Sequence, residues 1–420
     1  MFTWLTVALL GLLLLGCSNS PQRAAPLPLD RLAQIRADLA FTCRHERYPK
    51  PTADSDTLFH YGGWLEKNNL LKQDPAVYAE IERLYRIAAE NGHAKATINL
   101  QNGGLYGDYH LVGEERLRFS QQLIKAGVAS GYYYVAIFLS KGAAGLKEDQ
   151  EMALRYYRKA ADEGSANAQA YVAEKLIPSD SAPEVAKQMY RCAAEQGQGK
   201  AAVTLSLYLR DSKNYNEAVD ILQKGVAAGN ESAAGRLSKA FLGVTPASEI
   251  YYLAQPKDLE RADRYEKIWS LLADYSYASP KVPEINDIVP LPPAKLPPWD
   301  GKLQWVEERK ANVPPPKPSE ALIEQLAKAK QLNPATGRPL PESPNFVRQA
   351  SNLICESDQA CPLAGYWVAQ SYWSQEVRYF KQGDILPRCW GKDFVPRIWP
   401  LPDKMVDREW IIKWGYVGEA

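Results

Sequence analysis

The chain has 420 residues, of which 46% are hydrophobic and 24% are charged, with 50 basic residues against 49 acidic ones. This composition predicts a folded protein of two or three domains, and a net charge of +1 argues against a nucleic-acid partner. The four histidines all lie at or before residue 110: His45, His60, His93 and His110. Catalytic triads and histidine-ligated zinc are therefore excluded from the rest of the chain. Because no catalytic, phosphate-binding or metal-binding motif is present either, we expect no enzymatic activity, catalytic residue, cofactor or metal.

The N-terminus predicts export. Residues 2–16 form an uncharged apolar run that ends at Cys17. The run is shorter than the roughly 20 residues that span a membrane, and it predicts a signal peptide over residues 1–16. Leu14-Leu15-Gly16-Cys17 resembles a bacterial lipobox, although the usual basic residues before the apolar run are missing. The resemblance implies that Cys17 is acylated and anchors the protein in the periplasm, with Ser18 permitting sorting to the outer membrane. The alternative is an ordinary signal peptide with a chance cysteine.

Five further cysteines remain after Cys17. Cys355 and Cys361 flank a short polar loop, and their spacing predicts a local disulfide, with two unpaired thiols as the alternative. Cys192 lies in a helical repeat and is predicted to be a free, buried thiol that packs as a small hydrophobic residue. The other two are Cys43 and Cys389.

The middle of the chain is built from repeats. The clearest units are LYRIAAENG (84–92), YYRKAADEG (156–164) and YRCAAEQG (190–197), and the weaker ones are LIKAGVASG (123–131) and LQKGVAAG (222–229). Their terminal glycines are spaced by 39, 33, 33 and 32 residues, a period typical of helix–turn–helix solenoids. Each glycine is predicted to end a first helix in the left-handed conformation. In the third unit the inward positions are predicted to be Met152, Ala153, Tyr156, Tyr157 and Ala160.

These units resemble Sel1-like repeats, which are related to tetratricopeptide repeats, over about residues 70–275. The resemblance implies a stacked scaffold that binds partners. Alignment of the units places a row of polar residues on the first helices, and its cationic members are Arg83, Arg86, Lys125, Arg155, Arg158 and Arg191. We predict that this ladder contacts a partner; the alternative is a solvated face whose charges pair with nearby acids such as Glu151.

The composition changes at residue 280. Residues 280–318 hold 11 of the 30 prolines, which favours an extended strap packed on the last repeats; a flexible linker is the alternative. Beyond it, an amphipathic helix capped by Ser319 and a second helix near 345–355 precede strand-like pieces. Eight of the 11 tryptophans lie between residues 299 and 414. They are predicted to fill the core of a small α+β module, or else to form a carbohydrate or partner surface.

The expected fold class is therefore mainly α: a Sel1-like, TPR-like α-solenoid with a proline-rich strap and a small Trp-rich C-terminal α+β module. The predicted organisation is a signal peptide (1–16), a lipidated tether (17–29), an N-terminal helical cap (30–74), the repeat solenoid (75–279), the strap (280–318) and the C-terminal module (319–420).

Several motifs in the second half extend the resemblance. LPPWDG (296–301), NPATGRPLP (333–341), ICESDQACPLAGYW (354–367) and YFKQGDILP (379–387) resemble a module of Sel1-like repeat lipoproteins encoded beside type VI secretion phospholipase effectors. The resemblance implies a lipid-anchored periplasmic immunity protein that binds and neutralises a secreted toxin, which we expect to be a phospholipase. A scaffold that organises envelope or secretion machinery is the main alternative. A carboxylate-based hydrolase in the Trp-rich module is a third.

Overall fold

A computed structural model of the chain describes residues 39–177, 182–247, 250–346, 354–371, 376–395 and 404–418. The predicted signal peptide, the lipobox cysteine Cys17 and the tether lie outside these residues. Within the described ranges, no helix is both long and apolar enough to cross a membrane. The chain divides into two units, Met1–Ala40 and Phe41–Ala420, and the second contains every element described here.

The second unit is mainly helical, which confirms the predicted fold class. It begins with α1 (Ala53–Asn69), followed by five helical hairpins, each formed by a first and a second helix. These are α2 (Pro75–Glu90) with α3 (Ala94–Tyr106), α4 (Gly113–Lys125) with α5 (Ser130–Lys141), α6 (Gln150–Asp162) with α7 (Ala166–Leu176), α8 (Pro183–Glu195) with α9 (Gly199–Asp211), and α10 (Tyr215–Ala227) with α11 (Glu231–Ala240). A longer helix, α12 (Leu259–Asp274), packs on α11.

A glycine at positive φ closes the first helix of every hairpin. At each corner the residue after the glycine donates its backbone N–H to the carbonyl five residues earlier, as in Ser165 to Ala160 (2.9 Å), which is the Schellman arrangement. The corners are Gly92, Gly127, Gly164, Gly197 and Gly229.

The expected corner at Gly131 in the second repeat is therefore wrong. Gly131 lies inside α5, where a Cβ would approach the carbonyl oxygen of Ser120 to 2.6 Å. Because Gly131 has no side chain, α5 can pack closely against α4. The turn between these two helices is made by Gly127.

The N-terminal segment, residues 41–50, crosses the corners of the hairpins without forming a helix. The Arg44 carbonyl accepts from Gln169 of α7 (2.9 Å), and the Glu46 N–H donates to Gln196 beside α8 (2.8 Å). The Glu46 carboxylate accepts from Ser130, at the start of α5 (Oγ at 3.0 Å). Two residues thus contact repeats two, three and four, so the segment is stretched across them.

A disulfide between Cys43 and Cys192 fastens this segment to α8. The prediction of a free thiol at Cys192 is therefore wrong. The two cysteines are 149 residues apart in the sequence, and only the path of the N-terminal segment across the repeats brings them together.

The proline-rich strap packs against the last repeat. Val282 donates its N–H to the carbonyl of Ala227 (3.0 Å), and its apolar residues join the solenoid core. The strap contains the short helices α13 (Ile285–Ile288) and α14 (Gln304–Ala311). After α14, Asn312 exchanges side-chain hydrogen bonds with Asn68 of α1 (2.7 and 3.1 Å). The strap therefore joins the last repeat to the helix that precedes the first one.

The next helix, α15 (Glu320–Ala329), is capped by Ser319 as predicted. It does not belong to a C-terminal module, however. Ile323, Leu326 and Ala327 pack with Leu84 and Ile87 of α2 in one apolar cluster. The expected boundary at residue 319 is thus displaced, because the amphipathic face of α15 is buried by the first repeat.

The C-terminal part of the described chain is a β-structure. Strands β1 (Ile354–Glu356), β2 (Gly365–Gln370), β3 (Val377–Phe380) and β6 (Lys413–Gly418) form an antiparallel sheet in the order β1-β6-β2-β3. Strands β4 (Cys389–Val395) and β5 (Lys404–Trp410) pair separately. The helix expected near 345–355 falls largely outside the described residues, and its last two residues belong to β1.

The structure leaves Cys355 and Cys361 as thiols, so the predicted local disulfide is wrong. Cys355 is held in β1 opposite Trp414, while the Cys361 thiol donates to the carbonyl of Leu363 (3.0 Å). Burial raises the pKa of the Cys361 thiol. Pairing along the strand and a local hydrogen bond therefore position these sulfurs.

Candidate partner-binding surface

The structure separates the predicted cationic ladder into two groups. Its first two members, on α2, are enclosed by the chain itself. Arg86 has only 1% of its side chain exposed and donates to Glu82 (2.7 Å), to both oxygens of Glu115 and to the His110 carbonyl (2.9 Å). The arginine therefore lies between two buried carboxylates, in a network that a partner cannot reach.

The loop after α15 completes this network. Arg338 donates to Glu82 (3.3 Å) and to the His110 carbonyl (3.4 Å). Burial alone would raise the pKa of Glu82, but the charge and hydrogen bonds of Arg86, the His110 N–H and Arg338 together lower it. Glu82 is thus held ionised by the first repeat and the returning loop acting together.

The side chain of Arg83 is also bound by groups of its own chain. It donates to the Glu320 carboxylate (2.6 Å) and to the Pro334 carbonyl (2.6 Å). The hydrogen bond from Arg83 lowers the pKa of Glu320. Arg83 therefore binds Glu320 and Pro334 of its own chain, and Arg86 is enclosed beneath the same returning loop, so the assignment of both arginines to a partner surface is corrected. A local repeat alignment carries no information on which distant segment covers a helix.

The remaining four ladder residues, on later repeats, are accessible to different degrees. Lys125 is exposed at the end of α4. Arg155 is 68% exposed and pairs with Glu151 (2.6 Å), and Arg158 pairs with Asp162 (2.9 Å). Arg191 pairs with Glu217 of the next repeat. Exposed pairs of this kind are worth only about 0–1 kcal/mol, so a partner carboxylate can replace the internal one at little cost.

Exposed apolar side chains accompany the arginines of α6. At 100° per residue, Met152 and Leu154 flank the face that carries Arg155 and Arg158. They are 38% and 48% exposed, so the expectation that Met152 points inward is wrong. We refer to these four residues as the α6 patch. Arginine and methionine are both enriched at protein–protein interfaces, and only the orientation of the helix in the structure shows that they lie together here.

The tryptophans of the sheet divide between core and surface. Trp367 and Trp414 are buried in its apolar cluster, as expected of a core. Trp390, which lies on the separate β4–β5 pair, is 64% exposed. On the open face, Tyr366 and Tyr379 form an edge-to-face pair with ring centroids 5.4 Å apart. Tyr366 and Tyr379 thus form a second accessible surface.

Comparison with known proteins finds a family match and several similar solved structures. Residues 233–340 match a family described as a domain of unknown function, DUF6396; this range runs from α11 through the strap and α15 to the loop that reaches the first repeat. The immunity proteins Pa5087 and PA5088 from Pseudomonas aeruginosa are similar at 27% and 26% identity, with TM-scores of 0.45 and 0.49. Each similarity covers 60% of this chain, and 95% and 94% of the respective immunity protein.

A Sel1 repeat protein from Oxalobacter formigenes is similar at 18% identity and a TM-score of 0.38, over 52% of this chain and 87% of that one. No curated protein matches the chain significantly. The chain is thus similar to this Sel1 repeat protein and to the two Pseudomonas immunity proteins.

Proposed function

We propose that this chain is an immunity protein that binds a secreted antibacterial toxin and neutralises it by covering its active site or membrane-docking surface. The proposed toxin is a phospholipase delivered by type VI secretion. The motif resemblance to lipoproteins encoded beside such effectors supports the proposal. No chemistry by this chain is required, because a tight complex is sufficient to block an enzyme.

The observation that carries the proposal is the bracing of the repeats by the chain itself. Residues 41–50 bridge repeats two, three and four, and the strap links the last repeat to α1. Helical repeats otherwise contact only their neighbours. A scaffold fixed at both ends loses little conformational entropy on binding, and such preorganisation favours a tight inhibitor.

The proposed contact surface is the α6 patch, extended by Lys125 and Arg191 on the neighbouring first helices. Its cations would attract an acidic toxin surface and raise the association rate. Its apolar and arginine side chains would supply affinity.

We further propose that acylated Cys17 anchors the protein in the periplasm, at the outer membrane. The Cys43–Cys192 disulfide supports an oxidising compartment. It also connects the chain that follows the tether covalently to the fourth repeat. A membrane anchor would thereby hold the whole scaffold near the lipid surface that a phospholipase must reach.

The test is to express a secreted phospholipase whose gene lies beside the gene of this chain. The phospholipase is directed to the periplasm of a laboratory host, with and without this chain. We expect growth arrest by the toxin alone, rescue by co-expression, and stoichiometric inhibition of vesicle hydrolysis by the purified protein. Absence of both rescue and binding would reject the immunity role. Co-purification with cell-wall or secretion components would then favour the scaffold alternative.

The anchor is tested separately. Cys17→Ser should abolish labelling with a radioactive fatty acid and release the protein from the membrane fraction, because the acylated sulfur is lost. Cys389→Ser is the control and should be labelled normally. Undiminished labelling of Cys17→Ser would exclude the proposed lipid site.

A further inference from the structure

We propose that the dithiol form of this protein binds a zinc ion through Cys43, His45 and Cys192, with Glu195 as the fourth ligand. The inference does not depend on the proposed function. It concerns the point at which the N-terminal segment meets α8, where no metal was expected because the sequence contains no metal-binding motif.

The ligand atoms are already close together. The two sulfurs and a ring nitrogen of His45 all lie within 4.8 Å of one another. The Nε2 atom of His45 is 3.8 Å from the Oε2 atom of Glu195. Ligands of a tetrahedral zinc ion are separated by about 3.3–3.8 Å, given bond lengths of about 2.0–2.3 Å. Adjustments on the order of 1–2 Å would therefore complete the site.

Local structure explains why both ligand pairs point to one place. Cys43 and His45 are two residues apart on a stretched backbone, which puts their side chains on the same side. Cys192 and Glu195 are three residues apart in the last turn of α8, so they share one face of the helix. The segment crosses α8 at this turn, because Glu46 donates to Gln196. Two independent secondary-structure rules thus direct four ligand side chains to one point.

The ligand types suit zinc in particular. Two thiolates with one imidazole and one carboxylate form a mixed sulfur, nitrogen and oxygen set, and thiolates favour zinc over magnesium or calcium. Cys43 and His45 are exposed, whereas Cys192 is buried. The exposed side gives reductant and metal access, and Cys43 lies outside any helix or strand, so its backbone can adjust when the sulfurs separate.

The disulfide and the zinc site are alternative states of the same sulfurs. A small dithiol reductant breaks the S–S bond by supplying two electrons and two protons, and its own sulfurs form a disulfide. Zinc then binds the two thiolates and displaces both thiol protons, while His45 coordinates in its neutral form. In either state a covalent or coordinate link holds residues 41–50 to α8.

The test compares the oxidised and reduced full chain. The protein is reduced with a dithiol, freed of reductant under anaerobic conditions and titrated with zinc, and cobalt(II) serves as the spectroscopic probe for tetrahedral thiolate ligation. We expect one equivalent to bind the reduced chain and none to bind the oxidised chain. Circular dichroism should show that the reduced chain keeps its helices; loss of the helical signal on reduction would overturn the proposal, since the ligands would no longer be held together.

Variants locate the site. Cys43→Ser should weaken zinc binding by on the order of 100-fold or more, and His45→Ala by at least about 10-fold, because each removes a ligand and the loss of a residue that merely orients a ligand already costs about 10–100-fold. His45→Ala retains both cysteines, so its folding can be verified in the oxidised state. His60→Ala removes another exposed histidine, one that pairs with Asp56 (3.4 Å), and should bind zinc normally.

The thiols of the C-terminal sheet are present in every variant and act as an internal control. Zinc binding that persists in Cys43→Ser would assign the metal to those thiols and overturn the proposal. Normal affinity in His45→Ala, or failure of the reduced wild-type chain to bind zinc, would overturn it as well.

Discussion

The corner glycines of repeats three and four test how firmly the N-terminal segment is fastened. Gly164 and Gly197 both close first helices at positive φ, +114° and +87°. A Cβ at Gly164 would lie 2.7 Å from the backbone nitrogen of Glu46 and from the backbone carbon of His45, whereas one at Gly197 would meet no atom within 4 Å. The new methyl group of Gly164→Ala would thus collide with the N-terminal segment, whereas that of Gly197→Ala would collide with nothing within 4 Å.

The expected magnitudes follow from these contacts. An alanine in the left-handed conformation costs about 1–2 kcal/mol, so Gly197→Ala should lower the free energy of unfolding by about that amount. Overpacking adds about 1–3 kcal/mol, which gives about 2–5 kcal/mol for Gly164→Ala. The disulfide at Cys43 opposes movement of the segment away from the new methyl group. In a Cys43→Ser background the segment can shift, and the extra cost of Gly164→Ala should diminish.

Urea unfolding followed by far-ultraviolet circular dichroism measures the double-mutant cycle, and hydrogen exchange of residues 41–50 reports local release of the segment. We expect a coupling of at least about 1 kcal/mol between Gly164→Ala and Cys43→Ser. If Gly164→Ala and Gly197→Ala lower the free energy of unfolding equally, the segment is not held tightly against this corner. The same conclusion follows if the effects of Gly164→Ala and Cys43→Ser on that free energy add within about 0.5 kcal/mol.

Three further predictions concern the crosslink, the surface and the buried carboxylate. Peptide mapping of the unreduced protein should find Cys43 linked to Cys192, a bond whose 149-residue separation sets an entropic gain of up to about 5 kcal/mol; a crosslink within the C-terminal sheet would contradict this pairing. Arg155→Glu should leave the melting temperature within about 2 °C, because the side chain is exposed, yet slow toxin association at low salt; an unchanged on-rate, or equal slowing by a charge reversal on the exposed face of α12, would exclude the α6 patch. The pKa of Glu82 is lower in the folded state than its unfolded-state value of about 4.5. The ionised carboxylate therefore stabilises the fold fully at pH values above about 4.5, and this stabilisation is lost as the pH falls through the lower folded-state pKa. Glu82→Gln should therefore flatten the loss of stability below about pH 4.5 in urea titrations, and an unchanged pH profile would show that the carboxylate is not the titrating group.

The sequence by itself determined the local architecture of the solenoid. Alanines such as Ala160 and Ala161, which are fully buried, recur with a period of about 33 residues beside glycines that must adopt positive φ. These signals lie within one hairpin, and each hairpin repeats them, so the helices, most corners and the stacking of the repeats could be predicted. The corner at Gly131 was misplaced because both Gly127 and Gly131 follow α4 closely, and only close packing against Ser120 distinguishes them.

The tertiary structure alone decided which distant segments cover the repeats. Pairing of Cys43 with Cys192, and enclosure of Arg83 and Arg86 by residues 320–338, join parts of the chain that are about 150 to 250 residues apart. Such contacts depend on where the N-terminal segment and the strap run after the repeats have stacked, and no periodic pattern encodes that path. The local sequence around an arginine on a helix face is the same whether the side chain contacts solvent or a returning loop. Its burial and its charge partners depend on the packing of the whole fold.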